Sequence, residues 1–237
     1  MDHIKKFAAK DGFFVLIFSI LLFGALGTLA VLGLRLLVTN TSLNSFLDSH
    51  QMVINVASYA LILFSEIFAL WLLVIRRFKL KLRDLGFRKF NTLSAILYIA
   101  GFYGLLLVTI MVVFAIVGVL APEVNLDEKQ NIFQFGRSTP GLLLSFIASV
   151  VIAPVVEEIY FRGFLFRAFS NSWGVAVGAL ASSMIFGLLH FQANVVIFTI
   201  ILGLFLSLMY HKLNSIWPPI LLHFANNLIA FMILLKS

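Results

Sequence analysis

Seven stretches of this sequence are long and apolar enough to cross a lipid bilayer as helices. A bilayer core of about 30 Å takes about 20 predominantly apolar residues per helix. Lipid offers no hydrogen-bonding partner to an exposed backbone, and the sequence lacks the alternating segments of a membrane barrel. The sequence therefore predicts an all-α, polytopic transmembrane helix bundle with spans near residues 13–38, 53–75, 93–120, 141–169, 174–191, 195–210 and 216–235.

Composition excludes the main soluble alternatives. Hydrophobic residues make up 62% of the 237 residues and charged residues only 11%, which is too few to cover a soluble globule. The chain has no cysteine, so disulfides and thiolate zinc sites are excluded, and a metal would need His, Asp, Glu or Asn ligands. The net charge of +7 comes from basic residues beside apolar spans, which favours membrane lipids with anionic headgroups as partners and argues against nucleic acid.

The distribution of basic residues predicts the orientation in the cell membrane. The link at residues 76–89 contains seven Lys and Arg residues, whereas residues 39–52 contain none. By the positive-inside rule, the N-terminus and the loop at 76–89 are cytoplasmic in a multi-pass membrane protein. A short membrane-dipping piece around residues 131–135 would make eight membrane segments and change the side of the C-terminus.

The fourth span carries charges in an otherwise apolar helix. They are Glu157, Glu158 and Arg162, and a charge at bilayer depth needs a partner or a function. Glu158 and Arg162 are four residues apart, which predicts an ion pair on one helix face and leaves Glu157 to face a cavity. Pro154 removes one helix hydrogen bond shortly before them and predicts a local distortion.

Two later spans carry polar side chains that can join the same site. His190 ends the fifth span, while His223 and Asn227, four residues apart, project from one face of the seventh. A carboxylate, two imidazoles and a carboxamide can activate water and stabilise an oxyanion, with or without a metal ion. Taken singly, a buried His is more often a packing residue and a Glu–Arg pair is often a structural clamp. Because the first three spans contribute only Glu66 and Arg35, which we interpret as structural or gating residues, one shared site is the better explanation.

These polar residues form three spaced motifs. The motifs are Glu-Glu-x-x-x-Arg at Glu157, Glu158 and Arg162, Phe-x-x-x-His at Phe186 and His190, and His-x-x-x-Asn at His223 and Asn227. In this order they resemble the motifs of the CAAX protease and bacteriocin-processing family of intramembrane proteases, also called CPBP or Abi. The resemblance covers residues 141–235 and divides the chain into N-terminal spans at 1–140 and a catalytic transmembrane domain at 141–237.

The resemblance implies roles for the residues of the first two motifs. Glu157 would activate the attacking water, and His190 would assist it. Glu158 and Arg162 would support this pair. The family's active site is sunk in the bilayer and opens to the cytoplasmic side.

The resemblance also bears on the remaining residues and on a metal. His223 and Asn227 would stabilise the oxyanion or contribute to a metal site. The family's usual classification favours a metalloendopeptidase with zinc held by His190 and His223. A metal-free glutamate mechanism is the alternative, since the compact His-Glu-x-x-His helix of many zinc proteases is missing from the sequence.

We therefore expect an intramembrane endopeptidase that cleaves a peptide bond near the cytoplasmic membrane interface. By resemblance, its substrates would be prenylated CAAX-type proteins, leader peptides or membrane peptides, with a role in bacteriocin self-immunity. The alternative is a non-enzymatic immunity or scaffold protein that binds a membrane partner through the same polar network. A small transporter with a proton-carrying carboxylate ranks lowest, because the sequence shows no inverted repeat. The sequence leaves the oligomeric state open.

Overall fold

The computed structural model describes residues 7–38, 43–126 and 135–236, and in these ranges the regular structure is entirely helical. The predicted all-α fold class is confirmed. A 3₁₀ turn at Leu82–Leu85 lies between the third and fourth helices. The helices are α1 (Ala9–Leu37), α2 (Leu43–Ser49), α3 (Gln51–Phe78), α4 (Thr92–Leu120), α5 (Thr139–Trp173), α6 (Val175–Leu188), α7 (Ala193–Leu213) and α8 (Trp217–Lys236).

Six of the described helices are long and apolar enough to cross a membrane, namely α1, α3, α4, α5, α7 and α8. The fifth predicted span, at 174–191, is the shorter helix α6, whose 14 residues reach about 21 Å at 1.5 Å per residue. Gly174, with a φ of 83°, separates α6 from α5, and Phe191, with a φ of 61°, lies in the turn after α6. Helix α6 is thus too short for a bilayer core of about 30 Å. Of the predicted piece at 131–135, residues 131–134 lie outside the described ranges.

The basic loop at 76–89 lies at one end of the bundle, which we call the basic end. There Arg77 at the end of α3 approaches Asp11 in the first turn of α1, with Nη1 and Oδ1 3.6 Å apart. The Asn171 amide near the end of α5 donates a hydrogen bond of 2.9 Å to the Phe7 carbonyl. The start of α1 and the ends of α3 and α5 therefore meet at the basic end. That this end faces the cytoplasm stays a prediction, and residues 1–6 lie outside the described ranges.

The end of α7 and the start of α8 join the basic end through the same loop. Arg88 Nη1 donates to Asn214 Oδ1 at 2.8 Å, and the Ile216 amide donates to the Gly86 carbonyl at 2.8 Å. Asn214 has a left-handed conformation, with a φ of 51°, and ends α7 there. The start of α7 and the end of α8 consequently lie at the other end of the bundle, which we call the opposite end.

The longest helix, α5, departs twice from α-helical geometry. Residues Ile147–Ile152 and Glu158–Leu165 are π-helical. Pro154 lies between the two segments and has no N–H for the helix ladder. A π turn widens the helix locally, so that a proline ring fits without clashing with the preceding turn. The distortion expected at Pro154 thus takes the form of a π-helical segment before it.

Burial differs sharply among the spans. In α7, ten residues are buried, and in the π segment Glu158–Leu165 of α5 seven of eight are. In α4, by contrast, only Ala95 and Leu106 are buried among 29 residues. The packed interior therefore lies around α5, α6 and α7, and α4 is peripheral. The predicted domain boundary at residue 140 falls in the first turn of α5 and stays a prediction.

Candidate active site

The ion pair predicted within α5 is present and completely buried. Arg162 Nη1 donates to Glu158 Oε1 at 2.9 Å, and neither side chain is accessible. The π-helical segment keeps the two side chains within reach of each other. A buried carboxylate of this kind is stable only when a cation compensates its charge. Arg162 therefore supplies the compensating charge for Glu158.

Arg162 is in turn fixed by tight packing. Its guanidinium lies over the ring of Phe186, with Cζ 4.6 Å from the ring centroid, an arrangement that favours a cation. On another side, a Cβ added at Gly203 would lie 3.1 Å from Arg162 Nη2 and 2.9 Å from Ser183 Cβ. Only a residue without a side chain lets α7 approach the guanidinium so closely. The phenylalanine of the second motif and a glycine of α7 therefore position the ion pair.

His223 lies between the two carboxylates of α5. Its Nδ1 is 2.9 Å from Glu158 Oε1, and its Nε2 is 3.6 Å from Glu157 Oε2. When Glu158 is ionised it can only accept, so that Nδ1 of His223 is then the donor of this hydrogen bond. Glu157 differs from Glu158 in accessibility, because 24% of its side chain is exposed. The expected division between a clamped Glu158 and an accessible Glu157 is confirmed.

His223 and Glu157 are close but are not hydrogen-bonded to each other. The 3.6 Å between Nε2 and Oε2 is longer than a hydrogen bond. The imidazole thus contacts one carboxylate of α5 directly and lies next to the other.

His190 is oriented by the backbone of its own helix. Its Nδ1 is 2.9 Å from the Phe186 carbonyl oxygen, which can only accept, so that Nδ1 carries the hydrogen. In the neutral form of this ring, Nε2 presents a lone pair. The ring of Phe186 contacts both imidazoles edge-to-face, with centroid distances of 5.1 Å to His190 and 5.8 Å to His223. One phenylalanine thus positions Arg162, His190 and His223.

Asn227 docks α8 on the distorted part of α5. Its Nδ2 donates to the Ser149 carbonyl oxygen at 2.8 Å. That carbonyl has lost its helical partners, because the Ala153 amide bonds five residues back to Ala148, and Pro154 has no N–H. The carboxamide therefore satisfies an acceptor that the π segment and the proline leave free. A role of Asn227 at an oxyanion stays a prediction.

A cavity of about 510 Å³ lies beside these groups. Four of the six predicted site residues line it, Glu157, His190, His223 and Asn227, whereas Glu158 and Arg162 lie behind the wall. Such a volume is in the range of small-ligand and substrate pockets. The fold therefore brings all three motifs together and exposes the groups expected to react.

The cavity wall also contains polar side chains that the sequence did not single out. Most are isolated polar residues in or next to an apolar span. Asn226 is the exception, since it lies inside the third motif and donates to Asn227 Oδ1 at 3.2 Å. Tyr59 is the most firmly placed, because its hydroxyl donates to the Ala148 carbonyl at 2.9 Å. Glu66, expected to be structural or gating, is not among the lining residues. The unassigned polar residues are Tyr59, Tyr103, Ser149, Asn194, Thr199 and Asn226.

The donor set for the expected zinc ion is incomplete in this arrangement. In the part of the chain that the structure describes, no group of three or more His, Asp or Glu side chains has the geometry to hold a metal. His223 also uses Nδ1 for Glu158 and turns Nε2 toward Glu157. The residues do not form a preassembled three-ligand zinc site. Zinc dependence stays a prediction.

Comparison with known proteins bears on the C-terminal part of the chain. Residues 139–229, which contain all three motifs, match the family described as type II CAAX prenyl endopeptidase Rce1-like. The chain is also 27% identical over 110 residues to the candidate membrane peptidase YdiL of Bacillus subtilis (strain 168). That match covers 46% of this chain and 43% of the relative, so the chain spans less than half of the relative's length. No solved structure matches the chain. The resemblance to the CPBP family of intramembrane proteases is thereby confirmed.

Proposed function

We propose that this protein is an intramembrane peptidase that hydrolyses a peptide bond of a membrane-associated substrate with Glu157 as general base. One observation carries the proposal. Glu157 faces a cavity, and its carboxylate is 3.6 Å from a His223 that Glu158 and Arg162 fix in place. A base oriented by a second group, which is itself held by a third, is the arrangement of hydrolytic sites that activate water.

The proposed reaction uses side chains that line the cavity. A water molecule beside Glu157 gives one proton to its carboxylate, and the oxygen forms a bond to the carbonyl carbon of the substrate. Nε2–H of His223 donates a hydrogen bond to the oxyanion that develops. Glu157 then passes its proton to the amide nitrogen as the C–N bond breaks. The products are a carboxylic acid and an amine, and the enzyme returns to its starting protonation state.

His190 assists Glu157 in this reaction. Its neutral Nε2 lone pair accepts a hydrogen bond from the attacking water, which helps to orient that water toward the carbonyl carbon. Since the Phe186 carbonyl fixes the hydrogen on Nδ1, no rotation of the ring is needed. Family resemblance gives His190 the same assisting role.

The walls of the cavity favour an apolar substrate. Beyond the polar groups, the wall is formed by apolar side chains such as Phe198, Leu202 and Ala230. Prenylated CAAX-type tails, leader peptides and membrane segments all present apolar groups near a scissile bond. These three classes, and with them a part in peptide maturation or bacteriocin self-immunity, are our candidate substrates and roles.

A zinc ion is the alternative activator. It would be held by His190 and His223, and a bound zinc supplies a polarised water and a Lewis acid. Metal analysis of the purified protein tests this. Zinc that is retained by the wild type and lost in both His190→Ala and His223→Ala would establish a zinc site, and loss of cleavage with a strong chelator would make zinc part of the reaction.

The decisive experiment compares purified wild type with Glu157→Gln on a panel of prenylated CAAX-type peptides and double-glycine leader peptides. We expect cleavage by the wild type and a rate lower by about 10²–10⁴ in Glu157→Gln, because amide oxygen does not take up the proton. Thermal unfolding of the variant should be unchanged. Glu123→Gln is the matched control, since Glu123 is exposed and does not line the cavity.

Two outcomes would contradict the proposal. A Glu157→Gln variant that cleaves at the wild-type rate would show that Glu157 is not the general base. A folded wild type that cleaves no peptide, while Glu157→Gln protects cells as well as wild type does, would favour the non-enzymatic immunity or scaffold protein.

A further inference from the structure

The cavity is placed asymmetrically along the bundle. Glu157 lies 16 residues before the end of α5, about 24 Å from the basic end at 1.5 Å per residue. From Glu157 the cavity extends away from the basic loop, because its lining includes Asn194 in the first turn of α7 and Ile233 near the end of α8. Both positions belong to the opposite end. The Asn194 side chain also donates to the Leu126 carbonyl just beyond α4, at 3.3 Å.

The bundle is closed between the cavity and the basic end. Phe164, Phe166 and Phe169 of α5 are almost completely buried there. The 3₁₀ turn packs directly on α5, since a Cβ at Gly163 would lie 2.9 Å from the Leu85 carbonyl oxygen. Tight packing of α5 therefore closes this part of the bundle between the basic end and Glu157.

One side of the cavity reaches the outer surface of the bundle. Leu107 of α4 and Ile229 and Ile233 of α8 all line the cavity, yet they are 46%, 44% and 63% exposed. On their inner sides the same helices are connected, because Leu106 and Leu222 are buried in one cluster with residues of α7. Helices α4 and α8 are thus connected through this cluster and are separated where Leu107, Ile229 and Ile233 border the cavity.

In a bilayer this separation opens onto lipid. The residues at its edge are apolar, so acyl chains or an apolar peptide can contact them without desolvating a polar group. Behind them lie the polar groups of the site, with Glu157 and His223 at the inner limit. Helix α4 has only two buried residues among 29, so few packed contacts restrain its movement.

We propose that the substrate is an apolar peptide segment already inserted in the bilayer, and that it reaches Glu157 laterally between α4 and α8, from the half of the bilayer opposite the basic loop. That the bound segment is a substrate rests on the proposed function. The route rests on the cavity alone. If the basic loop is cytoplasmic, the segment comes from the outer half of the membrane.

The absence of cysteine from the sequence makes a direct test available. Single cysteines are introduced at Ile229, which lines the cavity, and at Met232, which is 47% exposed on the same helix but does not line it. Both carry an environment-sensitive bimane label, in a Glu157→Gln background so that no cleavage occurs. The protein is reconstituted in liposomes, and its orientation is measured by labelling a Lys81→Cys variant of the basic loop with a membrane-impermeant maleimide.

The probe is a synthetic leucine-rich peptide with a cluster of lysines at one end, which inserts into the leaflet to which it is added and does not cross. We expect a saturable change of bimane emission at Ile229→Cys when the peptide is added on the opposite-end side. Addition on the basic-loop side should leave the emission unchanged, and Met232→Cys should not respond on either side. A Leu107→Cys and Leu105→Cys pair on α4 repeats the test, since both residues are exposed and only Leu107 lines the cavity.

Three results would overturn the route: equal responses at Ile229→Cys and Met232→Cys, a response only from the basic-loop side, or no response from either side. None of them bears on cleavage. The proposed peptidase activity is tested separately, and it is contradicted if Glu157→Gln cleaves at the wild-type rate. A specific response at Ile229→Cys together with an absence of cleavage would leave a lateral binding site without hydrolysis.

Discussion

Helices α4 and α5 are neighbours in the chain and are both strongly apolar, but α5 lies in the packed interior and α4 at the periphery. Both are long and apolar enough to cross a membrane, with 29 and 35 residues. α4 has no charged residue, a regular α-helical course and two buried side chains. α5 contains two π segments and a buried Glu158–Arg162 pair. In lipid, apolar surface does not select the interior, because acyl chains solvate it equally well. Charged side chains do select the interior, since they need partners that only other helices supply.

The same contrast holds for α4 and α8 around the cavity. α8 is anchored to α5 by His223 and by the hydrogen bond from Asn227 to the Ser149 carbonyl. α4 is held by apolar contacts such as the ring pair of Phe102 with Phe205, 5.7 Å apart. The α8 wall of the cavity is therefore fixed by polar bonds from its own side chains, whereas the side chains of α4 contribute mainly apolar packing. Matched substitutions in the two regions test this difference through their effects on stability.

The largest effect is expected where a buried charge loses its partner. Arg162→Met leaves Glu158 uncompensated in the interior and should lower the free energy of unfolding by about 3–5 kcal/mol. Arg35→Met is the matched control, because Arg35 is exposed on α1 and its replacement should stay within about 0.5 kcal/mol. Thermal and denaturant unfolding in detergent measures both.

A double variant distinguishes charge from packing in this prediction. Arg162→Met with Glu158→Gln removes both charges and should recover a large part of the lost stability. If Arg162→Met is no less stable than Arg35→Met, the buried ion pair does not organise α5, and the contrast with α4 fails.

An intermediate effect is expected from one added methyl group. Gly203→Ala in α7 would place a Cβ 2.9 Å from Ser183 Cβ and should cost about 1–3 kcal/mol by overpacking. Gly101→Ala in α4 meets nothing within 4 Å, and alanine's better helix propensity should make it neutral or stabilising by up to about 1 kcal/mol. Equal effects at the two glycines would show that α4 is as tightly packed as α7.

The smallest effect is expected from single hydroxyl groups. Tyr59→Phe removes the hydrogen bond to the Ala148 carbonyl in the cavity wall and should cost about 0.5–1.5 kcal/mol. Tyr98→Phe is its counterpart on α4, where the side chain is 40% exposed, and it should change stability little. Melting temperatures of the pair, measured in the same detergent, decide between them. A larger loss for Tyr98→Phe would reverse the assignment of the two regions.

Much of the site was predictable because its spacing is local. Glu158 and Arg162 are one helical turn apart, so their pairing needed no knowledge of the fold, and the accessible Glu157 followed from it. His223 between two carboxylates was not predictable, since 65 residues separate it from Glu158. The length of α6 was also missed, because hydropathy continues through residues 189–191 while the backbone already turns there.

The orientation of the site shows where the two lines of sequence reasoning diverge. Charge distribution predicts a cytoplasmic basic loop, and family resemblance implies a cytoplasmic opening. In the fold the cavity extends away from that loop, so that the two expectations do not describe the same cavity. Only the relative depth of Glu157, His223 and the helix ends could reveal this.

The sequence by itself determined the helical fold class, the position of the apolar helices, the local ion pair and the set of residues that carry chemistry. These depend on hydropathy and on spacing within one helix, which the chain encodes directly. The tertiary structure decided that His223 lies between the two carboxylates, why Asn227 is needed beside Pro154, and toward which end of the bundle the cavity extends. Each of these depends on contacts between helices distant in sequence, where many arrangements satisfy the same apolar pattern and a few polar bonds select one.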